Sequence, residues 1–123
     1  VPAGAGTALK AARTTKFLEN VNRGRQSEKV ILNEMDLVKN TKKIESTTDK
    51  GERLLVIPDA IKDGTLYEIK DTKAVYRTKQ IQGEENAAKS KIMDYKIVTG
   101  EKTHISSKIK PEHVIRTTDI GPQ

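Results

Sequence analysis

The chain has 123 residues, the size of one ordinary domain, with 34% hydrophobic and 33% charged. Zero cysteines exclude a disulfide framework, a thiolate zinc site and a cysteine nucleophile; one Phe, three Tyr and no Trp argue against a platform of stacked aromatics for single strands. With 23 Lys and Arg against 17 Asp and Glu, the net charge of +6 points to a polyanionic partner, nucleic acid or an anionic surface, or else only keeps a small domain soluble.

The N-terminus, Val-Pro-Ala-Gly-Ala-Gly, has no basic region followed by an apolar stretch, and its lack of an initiating methionine suggests a piece of something longer. Residues 1–6 read as a flexible leader and 7–123 as a single domain. Thr7 is placed to cap a helix running to about Asn22, with Leu9, Ala12, Leu18 and Val21 as its apolar members. Asn22-Arg23-Gly24-Arg25 reads as a basic break, with Ser27 as a second N-cap. From Glu28 to about Val38, Glu28, Ile31, Leu32 and Met35 fall on one helical face. Lys39 to Lys43 is polar and basic, and Ile44 to Thr48 suits a short strand.

Thr48-Asp49-Lys50-Gly51 is a turn. Arg53 to Ile57, bounded by Gly51 and Pro58, holds the longest strongly apolar run, Leu54 to Ile57, and reads as a buried strand. It is far short of the roughly 20 residues a membrane helix needs. Lys62-Asp63-Gly64-Thr65 carries the Asp-Gly hairpin signal. Thr65 to Lys70 then alternates, with Leu66, Glu68 and Lys70 on one face and Tyr67 and Ile69 on the other. The turn at 62–65 is expected to fold an Arg53–Asp59 strand back on it. Residues from about Val75 to Ile92 read as a helix loosely interrupted at Gly83. Tyr95–Val98 and Val114–Arg116 read as further strands. Helices alternating with strands imply one α/β domain around a mixed sheet.

Two charges sit where stability alone does not place them. Glu28 lies among Ile31, Leu32 and Met35, and Glu68 lies mid-strand with Lys70 two residues on. A buried charge is costly unless paired or bound to metal. The hairpin brings Asp59 near Glu68. Two carboxylates from adjacent strands and a third from a helix make an oxygen-rich site for Mg²⁺ or Mn²⁺, with Zn²⁺ behind them. The plainer alternative is an ordinary strand Glu–Lys pair. His104 and His113 offer a metal-independent acid–base pair, or two surface histidines. Tyr67 and Tyr76 suit the core or its rim, or the flanks of a substrate. Lys39, Lys42 and Lys43 form a run suited to nucleic-acid phosphates, or a solvated face.

Ile57-Pro58-Asp59, eight residues, then Glu68-Ile69-Lys70 resembles the PD-(D/E)xK signature of restriction-endonuclease-like nucleases. The stretch from Ile57 through Gln80 is similar to toxin domains of that fold, which sit at the C-terminal tips of bacterial polymorphic and contact-dependent inhibition toxins. The likeness covers roughly residues 24–110. It implies a mixed central sheet flanked by helices (an α/β, or α+β, fold) and divalent-metal-dependent phosphodiester hydrolysis. Asp59 and Glu68 would bind metal, Lys70 would be the catalytic lysine, and Gln80 would match a glutamine of the following helix. Glu28 would be the helix glutamate, with Glu19 and Glu34 as alternatives. The resemblance also implies a cognate immunity protein, acidic if it covers this basic surface, and delivery from a secreted or surface-displayed toxin into the cytoplasm of a target cell. Within that reading RNA, and tRNA among RNAs, is favoured over DNA, because the domain is small and the site compact. A nucleic-acid-binding module with a degenerate motif and a histidine-dependent ribonuclease stand as alternatives.

Overall fold

The computed structural model describes residues 19 and 21–123; the expected leader and most of the first expected helix lie outside the described residues. Residues 21–34 form one helix, α1, which runs straight through the break expected at Asn22–Arg25. A single glycine costs a helix only about 1 kcal/mol. Burial of Ile31 and Leu32, at 1% and 9% exposure, more than offsets that. Ser27 is therefore a mid-helix residue and caps nothing. The helix stops at Asp36, whose φ is 53°, where Leu37 N–H donates to the Leu32 carbonyl at 2.7 Å.

The strands β1 (Ile44–Thr47) and β2 (Arg53–Val56) form an antiparallel hairpin of their own, Ile44 opposite Val56 and Thr47 opposite Arg53. This departs from the expected pairing of the second strand with Thr65–Lys70. Pro58 has no N–H to continue a ladder, so β2 ends before it and a separate short strand, β3 (Ala60–Lys62), begins after it. That strand pairs antiparallel with β4 (Thr65–Lys70), Ala60 opposite Tyr67 and Lys62 opposite Thr65. The Asp63-Gly64 turn between them has φ of 49° and 78°, the left-handed pair that a two-residue hairpin demands.

The helix expected from Val75 starts later. Ala74–Val75 is drawn into a two-residue strand, β5, and α2 (Lys79–Ser90) begins where the Thr78 hydroxyl accepts from Ile81 N–H. It is not interrupted at Gly83. That glycine lets the helix lie against the β1–β2 hairpin: a Cβ there would meet Val56 Cγ1 at 2.9 Å, and Ser46 Oγ donates to the Gly83 carbonyl at 2.6 Å. Then follow β6 (Asp94–Gly100), β7 (His104–Ile105), a 3₁₀ turn at Pro111–His113, and β8 (Val114–Thr117).

The central sheet has the order β3-β4-β6-β8, antiparallel at the first junction and parallel at the other two; β5 and β7 form a small parallel pair. Parallel neighbours need a crossover, and α2 lies between β4 and β6 in the chain. Each face of the sheet has its own core. Leu66, Tyr95 and Ile97 pack with Ile81, Ala87 and Ala88 of α2. On the opposite face Tyr67, Ile69 and Val98 pack with Ile31 of α1 and with Ile120. The result is a mixed sheet between two helices.

Candidate active site

Asp59 sits in the gap between β2 and β3. The segment after α1 braces this corner: Asn40 donates from its side chain to the Pro58 carbonyl at 2.9 Å and from its backbone N–H to the Asp59 carbonyl at 2.8 Å. The Asp59 side chain turns back onto β4, where Oδ2 accepts the Ile69 N–H at 2.7 Å. Continuing the β3–β4 register by one residue sets Asp59 opposite Glu68. The juxtaposition expected from the sequence is therefore present, although a different strand delivers it.

Glu68 points to the α2 face and is 3% exposed. Its Oε2 lies 3.2 Å from Lys70 Nζ and 3.4 Å from Gln80 Nε2, so the lysine on the same strand face and the glutamine in the first turn of α2 both reach it. Its Oε1 is buried with no partner. Behind it lies Glu84, fully buried on α2, whose Oε1 accepts from Tyr95 Oη–H at 2.7 Å and whose Oε2 also has no donor. The two carboxyl groups face one another. A shared proton is one arrangement that leaves neither lone pair orphaned.

The electrostatics follow from this crowding. Burial, then the charge of Glu68, then that of Glu28 push Asp59 up to about 7 against the relief given by Ile69 N–H and Lys39. Burial first and Glu84 second push Glu68 up to about 8, with Lys70 opposing. Burial also raises Glu84, although Tyr95 donates to it. Carboxyl groups displaced this far by burial and by neighbouring charges make this corner the candidate functional centre.

Glu28 is near enough to act on Asp59, yet its carboxylate is taken by Lys39 in an ion pair. Its side chain is 20% exposed, so the apolar face drawn for it in the sequence is only partly closed. Glu19 and Glu34 are both exposed. Lys42 and Lys43 are exposed too, whereas Lys39 is engaged. The two histidines sit on different elements with different partners. His104 lies 6.1 Å from the Tyr76 ring, and His113 meets Tyr95 edge-on at 5.6 Å with Nδ1 3.9 Å from Glu85.

Among the described residues no group of three or more His, Asp or Glu is gathered to hold a metal unaided. The donors present are nonetheless of the right kind. Mg²⁺ is commonly held by one or two carboxylates, the rest of its shell coming from water and substrate phosphate. Asp59 and the unpartnered oxygen of Glu68 fit that pattern.

Residues 19–109 match the family described as restriction endonuclease fold toxin 7. The chain belongs to this family. No curated protein and no solved structure matches it. The matched span contains α1, both strands of the motif hairpin, and α2. A restriction-endonuclease-fold toxin accounts for the mixed sheet flanked by helices.

Glu84 escaped the sequence reading, yet its signal was there. It shares the buried face of α2 with Ile81 and Ala88, three before and four after. The reasoning that singled out Glu28 as a charge among apolar neighbours applies to it with greater force.

Proposed function

We propose that this toxin domain is a divalent-metal-dependent endonuclease, with RNA, and tRNA among RNAs, preferred over DNA. The observation that supports this most is the crowding of Asp59 and Glu68 at one corner, each held well above the ordinary carboxylate range, with one buried Glu68 oxygen left unpartnered. A Mg²⁺ or Mn²⁺ ion held here would supply Lewis-acid stabilisation of the phosphate charge and a water of lowered pKa. Asp59 and Glu68 are the residues to hold it. Ile69 N–H fixes the Asp59 carboxylate, and Gln80 fixes that of Glu68. Lys70, 30% exposed beside Glu68, orients the attacking water and offsets charge building on the phosphate. Glu28 assists through its charge at Asp59, and release from Lys39 frees it to join the donor set. Lys42 and Lys43, with Lys39 when it is released, hold the substrate backbone.

Within the same reading, an acidic immunity protein neutralises the domain, and delivery is by a secreted or surface-displayed parent toxin into a target-cell cytoplasm. The runner-up is a binding module with a degenerate site, favoured by the lack of a three-residue donor cluster among the described residues. Incubating the purified domain with total RNA and with plasmid DNA, in Mg²⁺ and in EDTA, separates the two. Cleavage in Mg²⁺ and none in EDTA is the expected result; binding without cleavage in either favours the module. Full activity in EDTA overturns the metal mechanism and returns attention to His104 and His113.

A further inference from the structure

Lys70 is followed directly by Asp71, an acid the mechanism above does not use. Its side chain is 4% exposed, yet it lies at the junction of three separate pieces of chain. Arg23 of α1 grips it with two bonds, Nε to Oδ2 at 2.9 Å and Nη2 to Oδ1 at 2.8 Å. Ser27, one turn on, donates its hydroxyl to Oδ2. Gly121 N–H donates to Oδ1 at 2.7 Å from the C-terminal segment. The guanidinium first, then the serine and glycine donors, hold this carboxyl down at about 2 against its burial.

What each partner carries gives the convergence its meaning. Ser27 precedes Glu28, so the bond to Asp71 sets the rotation and height of α1 at the residue whose charge acts on Asp59. On the other side of Asp71, the Lys70 carbonyl accepts from Thr99 Oγ1 at 2.7 Å, which anchors the lysine's backbone to β6. Gly121 is pressed against Gly100, the end of β6: a Cβ on either would come within 2.7 Å of the other's backbone. This corner cannot adjust by drifting.

We propose that Asp71 is a positioning residue for the nuclease site, clamping α1 and the C-terminal segment to the end of β4 so that Glu28 and Lys70 stand at a fixed separation. The inference rests on the nuclease reading given above. Asp71 touches neither substrate nor metal and acts through its neighbours. A misplacement of about 1 Å at a catalytic group costs on the order of 10²-fold in rate, so the clamp is a rate device.

The test compares Asp71→Asn, Arg23→Ala and the milder Ser27→Ala with wild type, at a temperature where circular dichroism shows each variant folded. Nucleic-acid cleavage is measured in Mg²⁺ over a range of substrate concentrations. The amide shift of Ile69, which reports its bond to Asp59, is followed by NMR in parallel. We expect kcat to fall on the order of 10²-fold for Asp71→Asn and by less for Ser27→Ala, with KM unchanged and the Ile69 amide shifted. Should Asp71→Asn not fold, Ser27→Ala alone decides by the same readings. An unchanged kcat in a folded variant, or an unmoved Ile69 amide, overturns the proposal. Wild type that cleaves nothing sinks the nuclease reading instead, and the amide shift still judges the clamp.

Discussion

Glu68→Gln opposes function to stability and can be worked through from the structure. The substitution keeps the shape of the side chain and removes its charge. In the folded chain Glu68 is held at about 8, against 4.5 for a free glutamate, by burial and then by Glu84. A carboxyl raised in this way is most favourable to the fold when protonated. Its contribution is whole below pH 4.5 and is lost as the pH rises through about 8. At about 1.4 kcal/mol per pH unit, the ceiling on that loss is roughly 5 kcal/mol. Relaxation and water entry reduce it. Each kcal/mol that remains corresponds to roughly 4 °C in Tm for a domain of this size.

The assay is thermal unfolding in EDTA from pH 5 to pH 9. Wild type and Glu68→Gln should melt together at pH 5. At pH 9 the variant should melt higher, the gap opening steadily from about pH 5 to about pH 8. Saturating Mg²⁺ should then reverse the order. A ligand at 100 times its Kd adds about 2.7 kcal/mol to wild type, and the variant, lacking a ligand charge, gains less. Cleavage should be lost in the variant throughout. An ordinary strand ion pair behaves otherwise: the variant loses up to about 1 kcal/mol at pH 9 and keeps its activity. That outcome refutes the reasoning, because it means the Glu68 carboxylate is content beside Lys70.

Three further outcomes follow from particular contacts. Tyr95→Phe leaves Glu84 Oε1 buried without its donor and should cost about 1–3 kcal/mol in urea unfolding. Replacing Lys42 and Lys43 by Ala should flatten the salt dependence of RNA binding by roughly 0.7 per lysine in the slope of log K against log salt, with the rate at saturation unchanged. Ile92, 96% exposed with φ of 57°, occupies a backbone conformation that costs an L residue about 1–2 kcal/mol, so Ile92→Gly should raise the unfolding free energy by about 1 kcal/mol.

The features legible in the sequence were those with short-range causes. The Asp63-Gly64 turn and the alternation from Thr65 to Lys70 specify a hairpin locally, and both are present. The strand at Asp94–Gly100 was legible for the same reason, though it is longer than its apolar run. Features set by distant partners were not legible. Asn22-Arg23-Gly24-Arg25 reads as a basic break in sequence; in the fold the helix runs through it, its later turns buried at Ile31 and Leu32 and Arg23 paired with Asp71, 48 residues away. Val75 stands at the start of the expected helix, yet Ala74–Val75 pairs with His104–Ile105 as a strand. Asp59 was placed correctly opposite Glu68 on the wrong strand, because the count from the turn is unaffected by where Pro58 cuts the ladder. Glu28 was singled out for its apolar neighbours, and the cation that answers it, Lys39, lies beyond the end of the helix.

The placement of the acidic centre follows from the two faces of the sheet. Alternation on β4 sends Glu68 and Lys70 to the α2 side, while Tyr67 and Ile69 face α1. A strand alone cannot bring carboxylates from both sides together. The break at Pro58 does so, because Asp59 stands outside the ladder and folds its side chain onto the edge of β4 at Ile69 N–H. There it feels Glu68 from the α2 side and Glu28 from the α1 side. The chain thus gives up a continuous β2–β3 strand, and the ladder bonds it would have made, in return for one corner reached from both layers. Burial first, and neighbouring carboxylates after it, hold Asp59 and Glu68 above the usual carboxylate range. Under the proposed function, a cation held at the same corner would offset those charges, so the groups that cost the fold stability without metal are the ones that would serve catalysis with it.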